Sequence, residues 1–173
     1  AVEAESPDAQ LPVYRALVSE SSSNGLILVV LARRRSNGRL KVFSVLVSLW
    51  KRGIDRAALR LDMSRSAFER FVSSQKGDQM RLCEADLEEC QKIIARGLRV
   101  TKELGRPVPF DFGVGKSMLG NLDAHLEAIA NPFLCDKCDA PLDNETVARI
   151  RELAAYDNMP PETRCQECNK SSE

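Results

Sequence analysis

Two Cys-x2-Cys pairs near the end of the chain constrain its fold more than any other feature. The first pair is Cys135 and Cys138, the second is Cys165 and Cys168, and residues 139–164 separate them. One tight turn can present two thiolates to the same ion, and two such turns complete a tetrahedral site. The spacing therefore predicts a structural zinc (Zn2+) site, with an iron–sulfur cluster or a redox dithiol as the alternatives. Four protein ligands would leave no open coordination position for catalysis.

Between the two pairs, the sequence predicts a short helix over residues 143–155 with Asp143 as its N-cap. Pro160-Pro161 then returns the chain toward the second pair. Few apolar side chains are available for burial in the tail, residues 132–173: Val147, Ile150 and Leu153. We therefore expect the tail to need its metal to fold. It resembles zinc-ribbon and treble-clef modules, which implies metal binding but no particular partner, since such modules bind DNA, RNA and proteins.

The composition is that of a globular protein, with 43% hydrophobic and 29% charged residues. The longest apolar run is too short to span a bilayer. The acidic N-terminus lacks the pattern of a signal peptide. The paired cysteines indicate metal binding rather than disulfide bonds, which favours a reducing compartment. We expect a cytoplasmic protein.

The region before the tail predicts an α+β domain over residues 11–131, preceded by a flexible tail, residues 1–10. Two β-rich runs, 26–31 and 42–50, flank Asn37-Gly38, which is a strong hairpin pattern. The first run is apolar on both faces, so we expect other elements to cover both sides of a central antiparallel sheet. Helices are predicted over residues 54–61, 64–73, 84–104 and 116–130.

Charge is distributed unevenly. The net charge is zero, yet basic residues outnumber acidic ones several-fold between positions 33 and 76, which predicts an anionic partner. A two-residue turn would pair Arg34 with Lys41 and place Arg39 beside them, where a polyanion would relieve the repulsion between them. A solvated tip that protects a sheet edge is the alternative. The predicted nucleic-acid-binding residues are Arg33, Arg34, Arg35, Arg39, Lys41, Lys51, Arg52, Arg65 and Arg70.

The predicted helix pair over residues 54–73 resembles the helix-turn-helix of bacterial transcription regulators. The matching positions are Ala58 at the crossing, Leu61 and Met63 beside the turn, and Phe68 in the second helix. The resemblance implies that Arg65, Ser66 and Arg70 face DNA. Asp62 departs from it, because a glycine usually stands at this turn. The alternative is a pair of ordinary helices that covers the sheet.

The first 130 residues resemble a family of uncharacterised prokaryotic proteins. The family has two arginines before a Gly-Arg hairpin turn, a hydrophobic strand that leads to Gly-Val or Gly-Ile, and a helix that starts at a cysteine. The matching residues are Arg34-Arg35, Gly38-Arg39, Val45-Leu46-Val47, Gly53-Ile54 and Cys83. An acid of the family is replaced by Ser48 and a cysteine by Lys51, and the resemblance implies no activity.

No set of residues in the sequence forms a recognisable catalytic pattern. The only histidine, His125, has the helical spacing of a structural residue, and an enzyme would have to use it with Asp111 and Glu127. The sequence therefore predicts a non-catalytic, zinc-containing accessory subunit that binds RNA or DNA within a larger complex. The alternatives are a protein–protein adaptor that does not touch nucleic acid and a helix-turn-helix transcription regulator.

Overall fold

The structure is a computed structural model, and it describes residues 6–22, 25–75, 80–156 and 163–170. No helix within these ranges has the length and hydrophobicity that crossing a bilayer requires. Lys76, residues 1–5 and the predicted return at Pro160-Pro161 lie outside the described residues. The strands are β1 (Val13–Ser19), β2 (Leu26–Arg34), β3 (Leu40–Ser48), β4 (Gly53–Met63) and β5 (Leu82–Ala85). The helices are α1 (Arg65–Ser74), α2 (Leu87–Glu103), α3 (Phe110–Gly115), a 3-10 helix (Lys116–Leu119), α4 (Asp123–Glu127), α5 (Asn144–Ala155) and α6 (Gln166–Lys170).

The five strands form one antiparallel sheet in the order β4-β3-β2-β1-β5. Val29, Leu31 and Phe43 belong to the core that α2 and α3 cover, which defines the α2 face. On the opposite side, the α1 face, Val30 and Val42 pack against α1. The predicted α+β fold is confirmed, and so is the prediction that other elements cover β2 on both sides.

The hairpin between β2 and β3 has a different register from the predicted one. Arg33 pairs with Lys41 and Arg34 with Leu40, so three residues, 36–38, form the loop. The N–H of Gly38, which has a φ of 79°, donates to the carbonyl of Arg35 at 2.9 Å. A turn followed by a left-handed residue gives a three-residue loop rather than a two-residue one. A shift of one residue in the strand pairing moves a side chain to the opposite face of the sheet. Arg34 and Lys41 therefore lie on opposite faces, and the prediction that Arg34, Lys41 and Arg39 share one face is wrong.

The predicted helix over residues 54–61 is also wrong, because these residues form β4, which pairs with β3 along most of its length. Ala57 and Leu59 pack against the core of the α2 face, while the side chains between them point to the opposite side. Pairing and burial here override the helix propensity of Ala, Leu and Arg. Since α1 is preceded by a strand, residues 54–73 contain no helix-turn-helix, and that alternative is excluded.

Two later helices also differ from their predictions. Helix α2 begins at Leu87 with Asp86 as N-cap, instead of at residue 84, because Leu82–Ala85 add a strand beside β1. The predicted helix over residues 116–130 is broken into the 3-10 helix and α4. Gly120 separates them, with a φ of 76° that helical residues do not adopt.

The described part of the tail packs on the rest of the protein. Asp143 caps α5 as predicted, because its side chain accepts a hydrogen bond from the N–H of Thr146. The apolar residues of the tail that join the core of the α2 face are Phe133, Leu142, Val147 and Ile150. Arg151 forms an ion pair of 2.7 Å with Glu103 of α2. The tail therefore has more apolar support than the three residues that the sequence suggests. The boundary at residues 131 and 132 stays a prediction.

Candidate metal centre and basic surface

The four paired cysteines converge at one point. Their sulfur atoms all lie within 4.8 Å of one another, and Sγ of Cys138 is 3.6 Å from Sγ of Cys165. Four thiolates about 2.3 Å from a central ion in tetrahedral geometry lie about 3.8 Å apart. Cys135, Cys138, Cys165 and Cys168 therefore fit a single metal ion, and they form a candidate metal site.

Backbone contacts shape each half of the site. The N–H of Cys135 donates to the carbonyl of Ala140 at 2.8 Å, and Asp139, with a φ of 56°, turns the chain and donates back to the carbonyl of Cys135 at 3.1 Å. The second half is simpler, because Cys165 directly precedes α6 and Cys168 lies inside this helix. The N–H of Asp136 donates to the carbonyl of Thr163 at 3.0 Å, which joins the two halves.

Electrostatics favour at least one ionised sulfur. Burial raises the pKa of Cys135, but backbone N–H groups of Cys165, Lys137 and Cys138 outweigh it and lower the pKa to about 6. The N–H of Cys165 lies 3.3 Å from this sulfur and that of Lys137 lies 3.5 Å from it. Side-chain hydrogen bonds with Cys138 and Cys165 raise the pKa of Cys168 to about 12. A cation is needed for all four sulfurs to ionise together at this distance.

The other two cysteines lie apart from the site. Cys90 is buried in α2, and burial raises its pKa to about 12, so it is an inert core thiol. Cys83 is exposed on β5. Because Cys83 is not one of the four converging sulfurs, it is a natural control for substitutions at the site.

Several of the predicted nucleic-acid-binding residues are engaged within the protein. Arg33 is only 3% exposed; its Nε donates to the carbonyl of Met118 at 2.8 Å and its Nη1 to that of Leu11 at 2.6 Å. Its guanidinium therefore joins distant segments and cannot reach a phosphate. Lys41 pairs with Asp8 at 2.7 Å. Arg35 and Arg39 share Asp62, at 3.3 Å and 2.7 Å.

The remaining predicted residues are at or near the surface. Arg34 and Arg70 are exposed and form no ion pair within the described part of the chain. Arg65 is exposed and its guanidinium lies 5.6 Å from the ring centre of Tyr14. Lys51 and Arg52 are half-buried in the turn between β3 and β4, where Arg52 lies 3.7 Å from Asp55.

Two arginines of β4 were not among the predicted residues, yet they lie on the same side as α1. Strand pairing puts Arg56 opposite Leu46 and Arg60 opposite Val42. The side chain of Arg56 is 81% exposed, and its one ion pair among the described residues is with Asp55 at 3.9 Å. Alternation of inward and outward residues with a period of two would have identified both, had the segment been assigned as a strand. We call the following set the basic face: Arg34, Arg56, Arg60, Arg65 and Arg70.

The residues that an enzyme would have needed are not assembled. Asp111 is exposed on α3, while His125 and Glu127 belong to α4. Nε2 of His125 lies 3.2 Å from Oε1 of Gln91, as expected for a structural histidine. Within the described residues, no contact joins the three side chains into one site.

Comparison of the chain with protein-family models, with curated proteins and with solved structures finds no match in any of the three.

Proposed function

We propose that this chain is a non-catalytic, zinc-containing accessory subunit that binds nucleic acid within a larger complex. The observation that carries the proposal is the basic face, where five exposed arginines lie on one side of the sheet. Guanidinium groups match the geometry of phosphate oxygens. Such contacts bind DNA and RNA with little dependence on sequence.

The sheet between these arginines suits a nucleic-acid strand. Leu46 and Ser44 of β3 are only half-buried on the α1 face, and Ala58 of β4 is exposed beside them. A backbone that followed β4 would meet the two arginines of this strand in turn. Two nearby carboxylates are already paired, Glu69 of α1 with Arg15 at 2.8 Å and Asp62 of β4 with Arg39 at 2.7 Å.

Zinc is the proposed metal of the four-cysteine site. Zinc accepts four thiolates in tetrahedral geometry and supports structure without redox chemistry. The ion would join the turn around Cys135 to the start of α6. Metal analysis of the purified chain should therefore find about one zinc per chain.

The basic face can be tested by charge reversal. Fluorescence anisotropy with a mixed-sequence RNA strand and a DNA duplex, each of about 20 nucleotides, would be measured between about 50 and 200 mM salt. If all five arginines meet phosphates, the slope of log K against log salt is about −4.5 for the duplex and about −3.5 for the single strand. Arg56→Glu with Arg60→Glu should weaken binding at least tenfold and reduce the slope by about 2.

A matched control carries the same change of charge elsewhere. Lys102→Glu with Lys116→Glu reverses two exposed lysines on the helical side of the protein, and this variant should retain most of the affinity. Negligible binding at low salt, or equal losses in both double variants, would show that the basic face does not bind nucleic acid.

A protein–protein adaptor is the second candidate, and an exposed apolar patch favours it. Phe110 is 84% exposed, and Val108 and Val114 are also exposed. The three line a hollow of about 580 Å³ with α3 as one wall. Isolated apolar residues are common at surfaces, but a contiguous patch indicates a contact. A stoichiometric protein that co-purifies without nucleic acid, and is lost with Phe110→Asp, would select the adaptor.

A further inference from the structure

A cleft on the helical side of the protein combines apolar walls with an unpaired guanidinium. It has a volume of about 640 Å³ and lies between α2, α4 and the turn that carries Cys135. This size is typical of small-ligand sites. Its apolar lining consists of Ile93, Ala128, Ile129, Ala130, Leu134 and two prolines. The cleft lies on the α2 side of the sheet, so it is separate from the basic face.

Arg96 is the polar centre of this cleft. Its Nε donates to the carbonyl of Pro132 at 2.8 Å, which fixes the orientation of the guanidinium. In the described chain, no carboxylate forms an ion pair with it and its two terminal nitrogens make no hydrogen bond. Burial lowers the pKa of Arg96, an effect that the charge of Asp139 partly offsets. A half-buried cation without a partner would gain from an anionic ligand.

The other charged groups of the lining indicate a monoanion. Lys92 and Arg96 are cationic and Asp139 is anionic. These three residues together carry one net positive charge, which a single negative charge on a ligand would balance. A phosphate dianion would meet repulsion from Asp139. Lys92 pairs only with Glu88, its neighbour one turn away at 2.9 Å, and exposed pairs of this kind are weak enough for Lys92 to turn toward a ligand.

We propose that this cleft binds a carboxylate attached to an apolar body, with Arg96 and Lys92 holding the carboxylate and the walls of the cleft holding the apolar part. The two terminal nitrogens of Arg96 form a fork that matches the two oxygens of a carboxylate. A free monocarboxylic acid and the C-terminus of an apolar peptide share this chemistry.

The test uses NMR titration of the metal-loaded full chain, following the amide signals of α2 and α4. Hexanoate should cause saturable shifts with a Kd below about 10 mM, while hexanamide, which lacks the charge, should bind at least about tenfold more weakly. Acetyl-Ala-Ala-Leu with a free C-terminus and the same peptide as its amide form the second pair of probes. If the acid peptide binds more tightly than hexanoate, the source is a peptide terminus; the reverse order selects a free acid.

Variants separate the cleft from general charge effects. Lys92→Gln should weaken hexanoate binding about threefold and Arg96→Gln about tenfold or more, whereas Lys102→Gln, on the same helix outside the cleft, should have no effect. Arg96→Gln also removes a hydrogen bond to Pro132 and could therefore prevent folding. In that case, the comparison of acid with amide in the native chain tests the proposal instead. Equal affinity for hexanoate and hexanamide, no saturable shift with either acid, or an unchanged Kd in Lys92→Gln would overturn the proposal.

Discussion

Loss of a metal bound by the four cysteines should loosen a limited part of the tail and lower the stability of the whole chain by a calculable amount. The perturbation is Cys165→Ser, which removes one of the four sulfurs that lie within 4.8 Å of one another. A bound ion would join the turn around Cys135 to the start of α6, about 30 residues further along the chain, and a crosslink that closes such a loop contributes about 4 kcal/mol. For a chain of this length, that difference corresponds to a fall in Tm of about 8 to 16 °C.

The position of the loss is as informative as its size. Helix α5 should remain folded, because Val147 and Ile150 are buried in the core of the α2 face. Protection from hydrogen exchange should therefore fall in residues 134–141 and 163–170 and persist in α5. Differential scanning calorimetry and hydrogen exchange, each with and without a zinc chelator, measure the two effects.

Cys83→Ser is the matched control, since Cys83 is an exposed cysteine outside the candidate metal site. It should leave both Tm and metal content unchanged. The reasoning fails if the chelator does not alter the Tm of the native chain. It also fails if α5 loses protection together with the two turns, because the metal would then support more of the fold than the packing indicates.

Two further substitutions test the fold around these sites. Gly53→Ala should lower the free energy of unfolding, measured by urea titration, by about 3 kcal/mol or more. The reason is that Gly53 has a φ of 71° and that a Cβ there would collide with Thr101 of α2. Gly113→Ala is its control and should be neutral or slightly stabilising, because nothing lies within 4 Å of a Cβ at that position. Asp8→Asn should destabilise the protein at pH 7 by on the order of 1 kcal/mol. The hydrogen bond from Lys41 is the largest influence that lowers the pKa of Asp8 from 3.8, so its contribution is present above this pH and is lost as the pH falls through the lower folded value. A destabilisation of Asp8→Asn that stays constant to acid pH would contradict this assignment.

Local patterns in the sequence predicted the features whose determinants lie within a few residues. Asn37-Gly38 marks the turn, Asp143 caps α5, and each Cys-x2-Cys pair brings its own two sulfurs together. In each case, the local conformation is determined by the side chains of the same few residues that adopt it. The convergence of the two cysteine pairs was predictable because only one arrangement satisfies four thiolates with a single ion.

Features that depend on distant segments were not predictable in this way. Residues 54–61 have good helix formers, and only their pairing with β3 makes them a strand. The hairpin register was predicted wrongly for a different, local reason. Gly38 suits the left-handed position of two-residue and three-residue loops alike, so the sequence does not decide between them. Arg33 resembles its neighbours in the sequence, but the carbonyl of Met118, far along the chain, removes it from the surface.

The structure also changes the role that a metal in the tail would have. A tail with few apolar residues would depend on its ion for folding, but Phe133 and Leu142 join α5 in the common core and supply a second attachment. The segment that depends most on the ion is then the turn around Cys135, which contributes Leu134 and Asp139 to the wall of the carboxylate cleft. Besides the bridge from Leu134 to Pro141, this wall is held by hydrogen bonds within the turn, such as Cys135 to Ala140, and by the one from Asp136 to Thr163 in the second half of the site. The ion would therefore act chiefly by shaping the cleft, and loss of the metal would remove the cleft before it removed the fold.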